Sequence, residues 1–233
     1  MEKSKNFQII KYDNETGASE VKDVISVEHA VDIYVNGKLL AKLACTPQRF
    51  EELATGHLYS SGLIRAAGDV KEITLSQDLR TIRVTADLIE PAPTPAANGF
   101  RIPIASILKN SETFLKRNQT SQETGMLHSC ALFIDEELAY LGEDIGRHNA
   151  IDKTLGIALR EGVSFENIAA ITTGRIPGDI TTKFINARVP VIISRSAPTD
   201  VSIDLARRYN ITLCGFARGR RLNIYANEQR VVI

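Results

Sequence analysis

From residue 127 to residue 225, apolar runs of strand length alternate with amphipathic stretches of helix length, and this constrains the fold more than any other feature. Strands are expected at 127–133, 138–141, 168–172, 189–194, 211–216 and 222–225. Helices are expected at 148–160, 179–187 and 200–209. Such alternation predicts an α/β fold with a partly parallel sheet. In sheets of that kind ligands settle at the carboxyl ends of the parallel strands.

The first half reads differently. Residues 1–26 are polar and weakly patterned, with an edge strand around 7–11. Asn36-Gly37 between apolar runs 31–35 and 38–44 is a hairpin signal, because a type I′ turn needs two positive-φ positions. Thr46-Pro47 reads as the cap and first residue of a helix carrying Phe50, Leu53, Ala54 and Leu58, with His57 at the edge of that stripe. Runs 71–75 and 81–86 form a second strand pair, giving a small α+β unit. Four prolines between 89 and 104 mark an extended connector. A helix over 105–117 follows, ended by the polar run 118–123. The expected division is therefore 1–104, a small α+β domain with its connector, and 105–233, an α/β domain.

The 233 residues carry no formal net charge, so no global field draws the chain to nucleic acid or membrane, and any anion site must be local. Neither a transmembrane-length apolar run nor a signal-peptide core is present, so the cytoplasm is the expected location. Three distant cysteines form no disulfide framework and no zinc-ligand spacing, so no metal site is expected.

Chemistry concentrates in the strand-to-helix loops. GEDIGRHN (142–149), TTGRIPGD (172–179) and SRSAPTD (194–200) each pair small or hydroxyl residues with a helix start and one arginine: Arg147, Arg175, Arg195. FARGRR (216–221) adds Arg218, Arg220 and Arg221 around Gly219. From Arg195 to the end there are seven arginines, no lysine and three acids. Arginine grips phosphate oxygens as a bidentate fork, so the pattern points to a polyphosphate or nucleotide-like ligand. The alternative is a solvated basic rim paired with Glu143, Asp144 and Asp179. For catalysis, Cys130 and His128 share a strand face about 6.5–7 Å apart, where an imidazole can lower a thiol pKa. Its apolar neighbours favour a packing role for Cys130 over a catalytic one.

These residues carry a resemblance. VNGKLLAKLACTPQRFEELATGHLYSSGLI, TGMLHSCALF, GEDIGRHNAIDKTLG, TTGRIPGDITTK, SAPTDVSIDLA and GFARGRRLNIYANEQR resemble the FdhD/NarQ family of formate dehydrogenase accessory sulfurtransferases over nearly the whole chain. The resemblance implies a cytidine-deaminase-like C-terminal α/β domain, a homodimer, and sulfur transfer from a cysteine desulfurase to the molybdenum cofactor, as Mo-bis(molybdopterin guanine dinucleotide), before its insertion into the formate dehydrogenase apoenzyme. It implies a cofactor-binding segment at Phe216, Ala217, Arg218, Gly219, Arg220 and Arg221. Arg147, His148, Asn149, Gly174, Arg175, Ser196 and Thr199 join it as candidates. Two departures stand out. The family's CGxCG-type cysteine pair is replaced by PAPTPAANGF, which leaves sulfur carriage to Cys130, at a position where the family has alanine, with His128 assisting. The family's SGRxSxE becomes TGRIPGD at 173–179. No HxE with PCxxC is present for deaminase chemistry. The alternative reading is a cofactor chaperone, or a guanine-nucleotide-binding regulator, without sulfur transfer.

Overall fold

The computed structural model describes residues 1–117 and 127–233; the polar run 118–123 lies outside them. The first half contributes two separate sheets. Ser4–Asp13 (β1) and Gly17–Ser26 (β2) form a two-stranded antiparallel ribbon. Only one short strand was expected there, because its polar and apolar residues alternate weakly and both faces stay largely exposed. His29–Val35 (β3) and Lys38–Cys45 (β4) make the expected hairpin, with φ of 48° at Asn36 and 80° at Gly37. Val70–Leu75 (β5) and Thr81–Ala86 (β6) complete a sheet of order β4-β3-β6-β5. Alternate residues of β3 and β6 are buried, as a sheet covered on one face requires.

The first helix, Phe50–Ser60 (α1), starts later than Thr46-Pro47 predicted. Arg49 sits at the cap position with φ 55°, and Thr46 is drawn away by a carboxylate of the second half. The connector then runs to Ile102–Pro103 (β7), and Ile104–Arg117 (α2) follows.

In the second half the expected alternation holds. His128–Ile134 (β8), Glu137–Asp144 (β9), Ala169–Thr172 (β10), Val191–Ser194 (β11), Thr212–Arg218 (β12) and Arg221–Ala226 (β13) form a sheet of order β13-β12-β11-β10-β8-β9. β10, β11 and β12 are parallel; the flanking pairings are antiparallel. Arg147–Arg160 (α3), Gly178–Asn186 (α4) and Asp200–Arg208 (α5) link the strands, and Val231–Val232 (β14) pairs with β7.

One core runs through both halves, with Leu53 and Leu58 of α1 in the same cluster as Ile151 and Leu155 of α3. A second cluster lies beyond the six-stranded sheet, where Ile107 and Phe114 of α2 meet Phe133 and Ile193. α1 and α3 cross with their backbones touching. A Cβ on Gly156 would lie 1.9 Å from the Glu52 carbonyl oxygen, so only glycine fits. This crossing holds the second-half site in register with the first half.

Candidate functional site: an arginine rim at the carboxyl edge of the sheet

Strand direction decides where the loops meet. β9 runs the same way as β10, β11 and β12, so the segments after all four emerge at one edge of the sheet. β8 begins at that edge, which brings His128 there too. Neighbouring loops are tied by backbone. The Arg195 N–H donates to the Thr172 carbonyl at 3.2 Å, the Ile176 N–H to Ala197 at 3.1 Å, and the Phe216 N–H to Ser196 at 3.2 Å.

The side chains form two groups. A Cβ on Gly174 would lie 3.1 Å from Arg147 Cδ and 3.7 Å from His128 Nδ1, so the bare glycine lets Arg147 and His128 close over this turn. Arg218 Nε donates to the Arg195 carbonyl at 2.8 Å. Burial, then the neighbouring Arg218 charge, holds the Arg195 guanidinium below its ordinary pKa. Burial, then Arg147, likewise lowers His128, with Asp144 opposing. The Nε atoms of Arg147 and Arg195 are both buried without a hydrogen-bond partner in the chain. A desolvated guanidinium donor left unpaired costs free energy that an anion would recover.

The other candidates divide. Ser196 Oγ donates to the Thr173 carbonyl at 3.4 Å, inside the rim. Thr199 caps α5, its Oγ1 accepting from the Ser202 N–H. His148 Nε2 lies 2.8 Å from Asp179 Oδ2, so one candidate side chain already has an acidic partner, as the solvated-rim alternative expected. Arg175, Phe216, Gly219, Arg220 and Arg221 are exposed on the same loops. Phe216 and Gly219 take positive φ, 53° and 55°.

Three residues need correction. The Asn149 amide is buried and donates to the Ala44 carbonyl at 2.7 Å and to Asp144 at 3.0 Å, so it fastens the scaffold instead of facing a ligand. The Ala217 side chain is wholly buried in the core beyond the sheet. Cys130 is also wholly buried, and burial pushes its thiol up to about 12. His128 stands at the rim while the Cys130 thiol packs in the core, so the imidazole does not activate it. Conversely, Arg195, a loop arginine outside the candidate ligand set, holds one of the rim's two unpaired guanidinium Nε donors. Its signal was present: it is the arginine of the third strand-to-helix loop.

Behind the rim the same loop builds buried ion clusters. Asp144 Oδ2 accepts from Lys153 Nζ at 2.6 Å and from the Thr46 N–H and Oγ1 at 3.0 Å each. Asp152 accepts from Lys183 at 2.7 Å and Ser60 at 2.6 Å, and its Oδ2 lies 2.9 Å from His57 Nδ1. Burial raises the Asp152 carboxyl, but Lys183 and His57 together outweigh it and hold it below the usual range. Among the described residues no helix is long and apolar enough to cross a membrane, and no cluster of three or more His, Cys, Asp or Glu could hold a metal ion.

Fold and rim together define a mixed α/β protein with an arginine-lined rim at the carboxyl edge of its larger sheet. The chain belongs to the FdhD/NarQ family, whose model matches residues 26–92 and 86–232. It is 30% identical to the sulfur carrier protein FdhD of Listeria innocua, over 91% of this chain and 93% of that one. It is 31% identical to the Geobacillus kaustophilus protein of the same name, over 99% and 98%. The crystal structure of a candidate formate dehydrogenase accessory protein from Desulfotalea psychrophila superposes with a TM-score of 0.90 at 28% identity, covering 99% of this chain and 100% of that one.

Proposed function

We infer that this protein is a formate dehydrogenase maturation factor that carries Mo-bis(molybdopterin guanine dinucleotide) as cargo, gripping its diphosphates with Arg147, Arg195 and the Arg218–Arg221 hairpin. The observation that carries this reading is the pair of buried, unpartnered Nε atoms on two loops of one edge, each packed against the 172–179 loop that lies between them. Each guanine dinucleotide arm contains a pyrophosphate, and charge-assisted forks are the strong form of phosphate contact. The target is a formate dehydrogenase apoenzyme, the protein acts in the cytoplasm, and it works as a homodimer. A hairpin followed by three helix-linked parallel strands supports a cytidine-deaminase-like description of the second half.

Sulfur transfer from a cysteine desulfurase needs a thiol that a donor can reach. Cys45, Cys130 and Cys214, the chain's three cysteines, are all buried, and burial pushes each up to about 12. A thiolate is the nucleophile in sulfur exchange. That burial favours a second reading, a cofactor chaperone without a persulfide of its own.

Calorimetric titration tests the cargo reading. GDP is expected to bind more tightly than GMP, and replacing Arg218, Arg220 and Arg221 together by alanine should abolish the difference. Equal binding of GDP before and after that replacement would overturn it. Intact mass after incubation with a cysteine desulfurase and cysteine separates the two sulfur readings: no gain of a sulfur atom is expected, and a stable gain restores sulfur carriage.

A further inference from the structure

A cavity of about 320 Å³ opens at the opposite end of the strands from the arginine rim. Its walls include Leu159 and Gly162 to Glu166, from the turn that leads from α3 into β10, and Ile185, Asn186 and Arg188, where the chain leads from α4 towards β11. Both lie at the amino ends of the parallel strands. The facing wall comes from the first half and the connector, through Tyr59, Ile64 and Ala92. The cavity is thus a seam between the two halves, where small-molecule sites commonly form. Its volume falls in the range of about 300–1,000 Å³ usual for them.

The lining has a definite chemistry. Tyr59 and Phe165 are largely buried, their rings 5.1 Å apart and inclined at 41°, and they give the cavity an aromatic floor. The Tyr59 hydroxyl is spent on the Ala187 carbonyl at 3.1 Å, so the floor presents ring surface more than a polar group. The charged groups of the lining are Arg65, Arg188 and Glu166. Arg188 Nη1 lies 3.7 Å from Glu166 Oε1, which offsets one cation. Arg65 makes no ion pair within 4.0 Å among the described residues; the carboxylate that feels its charge is Asp69, which accepts the Arg65 N–H at 2.8 Å and stands outside the lining. The lining therefore carries one positive charge in excess, above an apolar, aromatic base.

We propose that this cavity is a second binding site, separate from the rim, for a small monoanion built on a flat apolar ring, such as an aromatic carboxylate or sulfonate. The ring lies against Tyr59 and Phe165, and the anionic group meets Arg65. A dianion would face Glu166 with charge to spare, and an uncharged ring would make no use of Arg65. Because first and second halves both contribute walls, an occupant bridges them. The proposal stands independently of what the rim binds.

The probe is 1-anilinonaphthalene-8-sulfonate, a fluorescent aromatic monoanion, titrated into the full folded chain. One saturable site per chain is expected, with affinity unchanged by saturating GDP. Ala92→Trp, which places an indole in the cavity from the exposed connector, should weaken binding roughly tenfold or more. Arg65→Glu, an exposed substitution that leaves the walls intact, should weaken it by a similar factor. N-phenyl-1-naphthylamine, the same ring system without the sulfonate, should bind more weakly than the sulfonate. Absence of a saturable site, displacement by GDP, or equal binding in wild type and both circular-dichroism-verified variants would each overturn the proposal.

Discussion

The segment from Glu143 to Lys153 joins two regions that treat charge in opposite ways. In the buried region, Asp144, Asp152 and Lys153 are almost wholly removed from water, and each is met by partners within the chain. At the rim, Arg147 and Arg195 bring guanidinium nitrogen out of water and leave it unmet. Desolvating a charge is expensive, and the expense is offset only when hydrogen bonds and an opposite charge complete the group. The first region is completed from inside and acts as scaffold. On the proposed reading the second is completed from outside, which is how a binding site differs from a salt-bridged core built from the same residue types.

Removing a completed partner should have the largest effect. Lys153→Ala strands the Asp144 carboxylate in the core, and a loss of about 3–5 kcal/mol in unfolding free energy is expected by denaturant titration. A loss under about 1 kcal/mol would mean that the cluster is dispensable and the contrast false. At the rim the sign pattern differs. Arg195→Ala should weaken GDP binding by about 1.5–3 kcal/mol, the range for hydrogen bonds to charged groups, while thermal melting stays level or rises. It rises because the variant relieves the desolvated cation and its repulsion with Arg218. Should Arg195→Ala melt as early as Lys153→Ala, the rim arginine would be scaffold too.

How much of this was legible in the sequence follows the same division. Strands and helices of the second half were readable because apolar periodicity survives wherever an element has one buried face; β10 and β11, buried throughout, still read as short apolar runs between loops. The convergence of the arginine loops followed from expecting parallel strands. The ribbon β1–β2 was half missed because neither face is deeply buried, so no alternation marks it. The start of α1 was misplaced because Thr46 looks like a local cap, whereas its hydroxyl serves Asp144 across the interface. Asn149 and Ala217 depart from the motif reading for a related reason: a motif shows which residues lie together in sequence, not which of them face the core; Cys130 is buried, as its apolar neighbours indicated. The aromatic cavity left no motif at all, since its walls come from four separate segments.

The smallest effect should appear in pH dependence at His128. Its folded pKa lies below the ordinary 6.5, mainly through burial and then through Arg147. As pH falls through 6.5 the unfolded chain takes up this proton before the folded one. The contribution of His128 to stability is therefore intact above that value and lost as pH falls below it. A bound phosphate reverses the balance, because its negative charge beside Arg147 stabilises the imidazolium. GDP binding should then take up a proton, and affinity should increase by a small factor as pH is lowered from about 8 to about 6. His128→Gln should flatten both slopes while leaving binding near pH 8 unchanged. A slope that survives in His128→Gln would assign the proton elsewhere, and a His128 slope of the opposite sign would mean that no anion sits beside Arg147. The buried clusters give the internal control: Asp152, held low by Lys183 and His57, keeps its contribution through this whole range and loses it only as pH falls below the ordinary 3.8.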